Sequence, residues 1–230
     1  MIFSRTKKSQ EKGFTLVELM VSTAVFSLVL LGAMAAIIQV TRLYYRGIHF
    51  AKTQEVARST LEEITQSIQF TNEEITSPTK AMPTPPVIDK NNEHVGYFCV
   101  GSKMYYYALD RQLKSGGSNE AKKQKAHVLW VDDDDCIGAP PSVNEINNKL
   151  NNTNLSGGRE LLSENMRITQ LSIMPTTTTG LYTIKLAIAY GDDDLLEVSG
   201  DNTRRICQSS KFGVELCATS ELSATVLKRL

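Results

Sequence analysis

The amino-acid sequence predicts an α+β fold, and three observations carry that prediction. A stretch of 20 residues without charge, Leu19–Ile38, lies near the start of the 230-residue chain and runs on into an apolar repeat with helical spacing. Runs of alternating apolar and polar residues occupy the second half, separated by turn-forming segments. Helix first and strands after is the order of an α+β protein, whereas in an α/β protein the two alternate along the chain.

Charge divides the chain into three pieces. Residues 1–13 carry Arg5, Lys7, Lys8 and Lys12 against Glu11, a net of +3, and residues 14–40 carry a single charge, Glu18. The remainder holds 21 basic and 23 acidic residues, a net of −2. The whole is neutral, 25 Lys+Arg against 25 Asp+Glu, which argues against a protein whose main task is gripping nucleic acid. A hydrophobic content of 41% with 22% charged residues excludes wholesale disorder.

A helix through Leu19–Ile38 spans about 30 Å at 1.5 Å per residue, enough to cross a bilayer core. The basic head in front of it keeps to the cytoplasmic side and places the C-terminal body outside, although Arg42 and Arg46 follow closely. The helix continues beyond the span. Leu43, Phe50, Ala57, Leu61, Ile64 and Ile68 recur at steps of 7, 7, 4, 3 and 4, while Arg42, Lys52, Glu55, Arg58, Glu62 and Glu63 lie mostly off that stripe. One helix of roughly 55 residues, about 80 Å long, follows from this pattern, with its second half packed on a sheet. It ends before Pro78, because the Pro-rich link Ser77–Pro86 cannot continue it.

Strands come next. Val95–Val100 and Met104–Leu109 flank Gly101-Ser102-Lys103 and read as a hairpin, in which Tyr105, Tyr106 and Tyr107 belong to a half-buried strand rather than to a stacking platform. Ala126–Val131 is a third strand leading into four Asp, and the Asn-rich Ser142–Gly158 reads as a long loop or a short helix with frayed ends. Met166–Met174 and Leu181–Tyr190 form the best hairpin, turning at Pro175–Gly180. In its second strand Tyr182, Ile184, Leu186, Ile188 and Tyr190 alternate with Thr183, Lys185, Ala187 and Ala189, the period of a strand with one buried face. A last strand falls within Gly213–Val226.

Three readings of the apolar run compete: a plain transmembrane anchor; a signal peptide cut after Ala33-Met34-Ala35; and a third that rests on residues ahead of the run. The run is longer than the ~7–15 residues of a usual signal core. Lys12-Gly13-Phe14-Thr15-Leu16-Val17-Glu18-Leu19 resembles the processing motif of type IV prepilins and their relatives, the pseudopilins. In that family a membrane peptidase cuts after the glycine and N-methylates the new first residue. The resemblance, which covers about 30 residues, implies a leader of residues 1–13, methylation of Phe14 and a mature chain of 217 residues in which Glu18 stands fifth. It implies the pilin fold, a long helix packed on an antiparallel sheet with a loop-rich C-terminal region. The partners implied are other pilin subunits, the prepilin peptidase, an inner-membrane assembly platform and, before assembly, membrane lipid. The chain then divides into the leader 1–13, an assembly half of the helix at 14–40, an amphipathic half at 41–70, a Pro-rich link at 71–92 and a β-rich domain at 93–230.

An acid in a membrane helix is costly and is functional by default. Glu18 has two readings: it sits at headgroup level in contact with water, or it pairs with the ammonium that cleavage creates on Phe14 of a neighbouring copy. The resemblance supports the second, an assembly role. Many major pilins carry Pro within the apolar segment, whereas here none precedes Pro78 and Gly32 is the flexible point. With its large, loop-rich body, this reads as a minor subunit that initiates assembly or displays a tip surface toward a host surface or DNA. The alternatives are a pseudopilin of a type II secretion system, an exported adhesin or enzyme with an ordinary signal peptide, and an anchored receptor that is never cut.

The four cysteines are Cys99, Cys136, Cys207 and Cys217, an even count that in an exported domain favours disulfides. Three connectivities are open to four cysteines. The expected pairs are Cys207–Cys217, closing a local loop, and Cys99–Cys136, tying the first hairpin to the acidic loop. No C-x₂₋₄-C spacing of a zinc site occurs. His49, His94 and His127 form no H-E-x-x-H motif, and no nucleophile elbow or phosphate-binding loop is present, so no enzyme activity is expected. Two acidic clusters, Asp132, Asp133, Asp134 and Asp135 and then Asp192, Asp193 and Asp194, read as solvated turns, with calcium ligation as the rival; neither has EF-hand spacing. No other cofactor is implied.

Overall fold

The computed structural model describes residues 13–71, 75, 87–88, 94–113, 127–133, 136, 141–152, 157–176, 180–200, 204–208 and 213–229. The leader apart from Gly13, most of the Pro-rich link, Asp134 and Asp135 lie outside the described residues. The chain forms two compact units, Met1–Tyr44 and Tyr45–Leu230. The first helix, α1 (Leu16–Phe70, 55 residues), contributes to both.

In the first unit α1 exposes its apolar side chains all round, Leu16, Val21, Phe26, Leu31 and Ile37 among them. A helix apolar on every side is a membrane span or a core helix, and by length and composition this one can cross a bilayer. Its hydroxyls are satisfied by the helix itself. Ser22 Oγ donates to Glu18 O (2.7 Å), Ser27 Oγ to Thr23 O (2.8 Å) and Thr41 Oγ1 to Ile37 O (2.8 Å), so these groups present no unmet polarity to lipid.

The second unit is an α+β domain. Beside the end of α1 it contains β1 (Val87–Ile88), β2 (His94–Val100), β3 (Lys103–Leu109), β4 (Leu129–Asp132), α2 (Val143–Asn151), β5 (Gly158–Glu160), β6 (Met166–Pro175), β7 (Leu181–Tyr190), β8 (Leu196–Val198), β9 (Arg205–Cys207) and β10 (Ala218–Leu227). The main sheet runs β1-β2-β3-β6-β7-β10, with β4 beside β3 and β5 beside β4; β8 and β9 form a separate pair. Among the described strands the pairings are antiparallel, as expected, except one: β3 meets β6 in parallel at Leu109↔Ile168. The sheet is mixed at this point, where the chain leaves the first hairpin and returns through β4, α2 and β5 before starting the second.

The core lies between α1 and the sheet. Ala57, Leu61, Ile64 and Ile68 of α1 pack with Phe98, Tyr105, Tyr107, Ile168, Leu186 and Ile188. Leu43 (69% exposed) and Phe50 (47% exposed) drop out of the expected stripe. The sheet meets this part of the helix through His49, stacked on Tyr190 at 4.5 Å, and through buried Thr53, whose Oγ1 donates to His49 O at 2.7 Å. A threonine satisfied by its own helix costs little to bury, and polarity hid it from the apolar pattern.

The three tyrosines are fully buried, not half-buried. Tyr105 and Tyr107 face α1, while Tyr106 on the other face packs with Tyr97, Trp130, Ile146 and Leu150. Helix α2, built from the Asn-rich stretch, provides that second cover. The alternation in β7 fails for a related reason: Ala187 and Ala189 are buried with their neighbours, and Ala189 packs with Leu195, Leu196 and Cys217. The first hairpin turns in two residues, Gly101-Ser102, since Lys103 already pairs with Val100. Gly101 takes φ +60°, as the first position of a type II′ turn requires. The third strand is shorter than expected, Leu129–Asp132, and the last begins at Ala218 after a 3₁₀ turn at Val214–Leu216.

Candidate processing and assembly site

Gly13, Phe14 and Thr15 precede the first helical residue, Leu16, and are exposed, Phe14 at 81%. A Cβ placed on Gly13 meets nothing within 4 Å. Among the described residues no packing demands glycine there, which leaves room for a requirement set by whatever reads the peptide.

Thr15 and Glu18 cap the helix reciprocally. The Thr15 N–H and Oγ1 both donate to Glu18 Oε2 at 2.9 Å, and the Glu18 N–H donates to Thr15 Oγ1 at 3.3 Å. This is a capping box, in which the N-cap hydroxyl and the acid three residues on satisfy the free amides of the first turn. The acid also sits where the positive end of the helix dipole favours it. The sequence carries the signal as Thr15-Leu16-Val17-Glu18, a capping-box spacing that the apolar surroundings of Glu18 obscure.

The structure pairs Cys99 with Cys136 (Cα–Cα 5.9 Å) and Cys207 with Cys217 (Cα–Cα 5.8 Å). Each acidic cluster has a member in a salt bridge. Asp132 accepts from Lys149 Nζ at 2.6 Å, and Asp133 is exposed. Asp192 Oδ1 accepts from Gln112 Nε2 at 3.1 Å, and Asp193 pairs with Arg167. Among the described residues no group of three or more candidate ligands gathers to hold a metal. The calcium candidates Asp134 and Asp135 lie outside them.

Arg167 organises a buried polar network that the sequence pattern does not reveal. It is 1% exposed, it donates through Nη2 to Gly191 O at 3.1 Å, and it ion-pairs with Asp193. Asp110, held at φ +62°, accepts from Arg205 Nε at 2.5 Å, and its Oδ1 lies 3.7 Å from Arg167 Nη1. This network joins the turn after β3 to β6 and β9, and no local pattern in the sequence announces it.

A family model described as the prokaryotic N-terminal methylation motif matches residues 8–34. The matched segment takes in Gly13, Phe14, the capping pair and the apolar stretch of α1. No curated protein and no solved structure matches the chain. The matched motif lies at the start of a helix long and apolar enough to cross a membrane. The motif together with the long N-terminal helix supports a type IV pilin-like protein, processed by prepilin peptidase and assembling with other pilins.

Proposed function

We propose that this protein is a minor subunit of a type IV filament, acting in the start of assembly or at the tip, and that it has no enzymatic role. The observation that carries the reading is the junction of the motif with α1: the cleavage site opens directly into 55 helical residues uninterrupted by proline. Within that stretch Gly32 and Gly47 interrupt better helix formers only mildly, about 1 kcal/mol each against Ala. A segment that stays helical favours a subunit inserted whole over one that must melt on packing.

Other features support the placement. The basic head favours a cytoplasmic N-terminus, and two disulfides favour a C-terminal domain on the oxidising side of the membrane. Glu18 then meets the Phe14 ammonium of a neighbour, a pair that gains most where an uncompensated charge would otherwise be buried.

The test is the protein isolated from its native cells. Its mature form begins at Phe14 with one added methyl group, and deletion of its gene lowers filament number without removing the major subunit. A chain starting at Met1, or downstream of Ala33, refutes the reading. Intact filaments with a failure of protein secretion assign it to the type II system instead.

A further inference from the structure

A cleft of about 690 Å³ opens between the last turns of α1 and the β2–β3 turn. Its volume falls in the range of small-molecule sites, roughly 300–1,000 Å³. Its lining includes Glu62, Glu63, Gln66 and Phe70 from α1, Lys103 from β3 and Arg159 from β5. The helix residues follow steps of 1, 3 and 4 and so share one face. The turn opposite is pressed onto the helix end, since a Cβ on Gly101 would lie 2.6 Å from Thr71 Oγ1. The walls are preformed by packed backbone.

The polar lining is unfinished. Glu63 pairs with Arg159 through Oε2, yet its other oxygen, Oε1, is enclosed and accepts no hydrogen bond. Most enclosed polar atoms have a partner, and one that lacks it invites a donor from outside the chain. Among the described residues Glu62, Gln66 and Lys103 hold no side-chain partner. Two acids and two bases balance, so the cleft selects neither a polyanion nor a polycation. It offers carboxylate acceptors, cationic donors and an amide that does both, close together. Adjacent hydroxyls match that mixture, one donating to a carboxylate and the next accepting from an ammonium or guanidinium. Phe70 adds a ring that is 66% exposed, with the Arg229 guanidinium 5.6 Å from its centroid. The rest of the ring is flat apolar surface that the C–H face of a sugar would remove from water.

We propose that this cleft binds short neutral oligosaccharides, with Glu63 and Arg159 gripping vicinal hydroxyls and Phe70 stacking on a sugar ring. The inference does not rest on the subunit's place in a filament, because a single chain suffices to bind.

The experiment uses the full processed chain in lipid nanodiscs prepared without sugar-headed detergent. The discs are applied to an array of short neutral, sialylated and sulfated oligosaccharides, and the strongest neutral hit is titrated by calorimetry. Binding of neutral glycans is expected, weakened at least about tenfold by Phe70→Ala and by Glu63→Gln. Val198→Ala, at an exposed position on β8, leaves affinity unchanged. Phe70 is largely solvent-facing, so its variant keeps the wild-type melting midpoint and reports on the site rather than on folding. An empty array, binding confined to charged glycans, or variants that bind like wild type each overturn the proposal.

Discussion

On the proposed reading Glu18 serves two ends with one carboxylate. It caps its own helix through Thr15, and the filament role proposed above has it meet a neighbour's Phe14 ammonium. Substitutions separate the two. Glu18→Gln keeps an acceptor for the Thr15 N–H but has no charge, whereas Glu18→Val removes both functions. Both variants are expected to insert in the membrane and be cut, and both to be missing from sheared filaments; recovery of Glu18→Gln at wild-type levels would show that the cap, not the charge, is what assembly needs. On the proposed reading Gly13 answers to the peptidase, since among the described residues its surroundings are open. Gly13→Leu is therefore expected to leave membrane insertion intact and to accumulate a precursor longer by the 13-residue leader, read by intact mass. Within the domain, Tyr105 carries a pH dependence. Burial pushes its phenol up to about 12, partly offset by the 2.8 Å hydrogen bond with Ser67. The folded value lies above the unfolded one of about 10. The stabilising contribution is thus complete below pH ~10 and is lost as pH rises toward the folded value. Tyr105→Phe should flatten the fall in denaturation midpoint between pH ~10 and ~12, and an unchanged slope would count against a buried phenol.

At the scale of elements, what could be read in advance was what repeats. The apolar run and the stripe Ala57–Leu61–Ile64–Ile68 announce α1 through their period, and the alternation of Leu181–Leu186 announces β7. Where two layers share a residue the pattern blurs, as in the buried Ala187 and Ala189. The parallel contact of β3 with β6 and the three-residue strands β8 and β9 have no local signature, because each exists only through a partner far along the chain. The two capping boxes are different: they were written in the sequence, as Thr15-x-x-Glu18 and Ser142-x-x-Glu145. In the second, Ser142 Oγ accepts from the Glu145 N–H at 3.3 Å and Glu145 Oε2 accepts from the Ser142 N–H at 2.6 Å, which turns an Asn-rich stretch into α2. That cap holds the cover over Tyr106 and Trp130 in place. Ser142→Ala is expected to cost about 1 kcal/mol, a drop of roughly 2–4 °C in melting midpoint for a domain of this size. Ser142→Asp, which can still accept, should recover most of it; equal losses in the two variants would mean the box is not what starts the helix.

For the whole molecule, the disulfides rank by what they enclose. Cys99–Cys136 closes a separation of 37 residues and ties β2 to the loop after β4, whereas Cys207–Cys217 closes 10 residues beside the β8–β9 pair. Loop-closure entropy gives about 4 kcal/mol for the longer loop and about 3 for the shorter. The longer bridge also belongs to the layer under α2, where Cys99 packs with Tyr97, Met104 and Trp130, so freeing it loosens the cover of the main sheet. The shorter one fixes a satellite cluster around Leu195 and Leu196, next in sequence to Asp193, which pairs with Arg167. Replacing both members of a pair by Ala should therefore lower the thermal midpoint more for Cys99/Cys136 than for Cys207/Cys217, with the second variant keeping its near-ultraviolet tryptophan signal because Trp130 lies in the first layer. Limited proteolysis should follow the same order, the first double variant opening within the β2–β4 region and the second only around residues 204–217. A larger loss from the short bridge would mean that the C-terminal module, and not the α2 layer, governs the cooperativity of the domain.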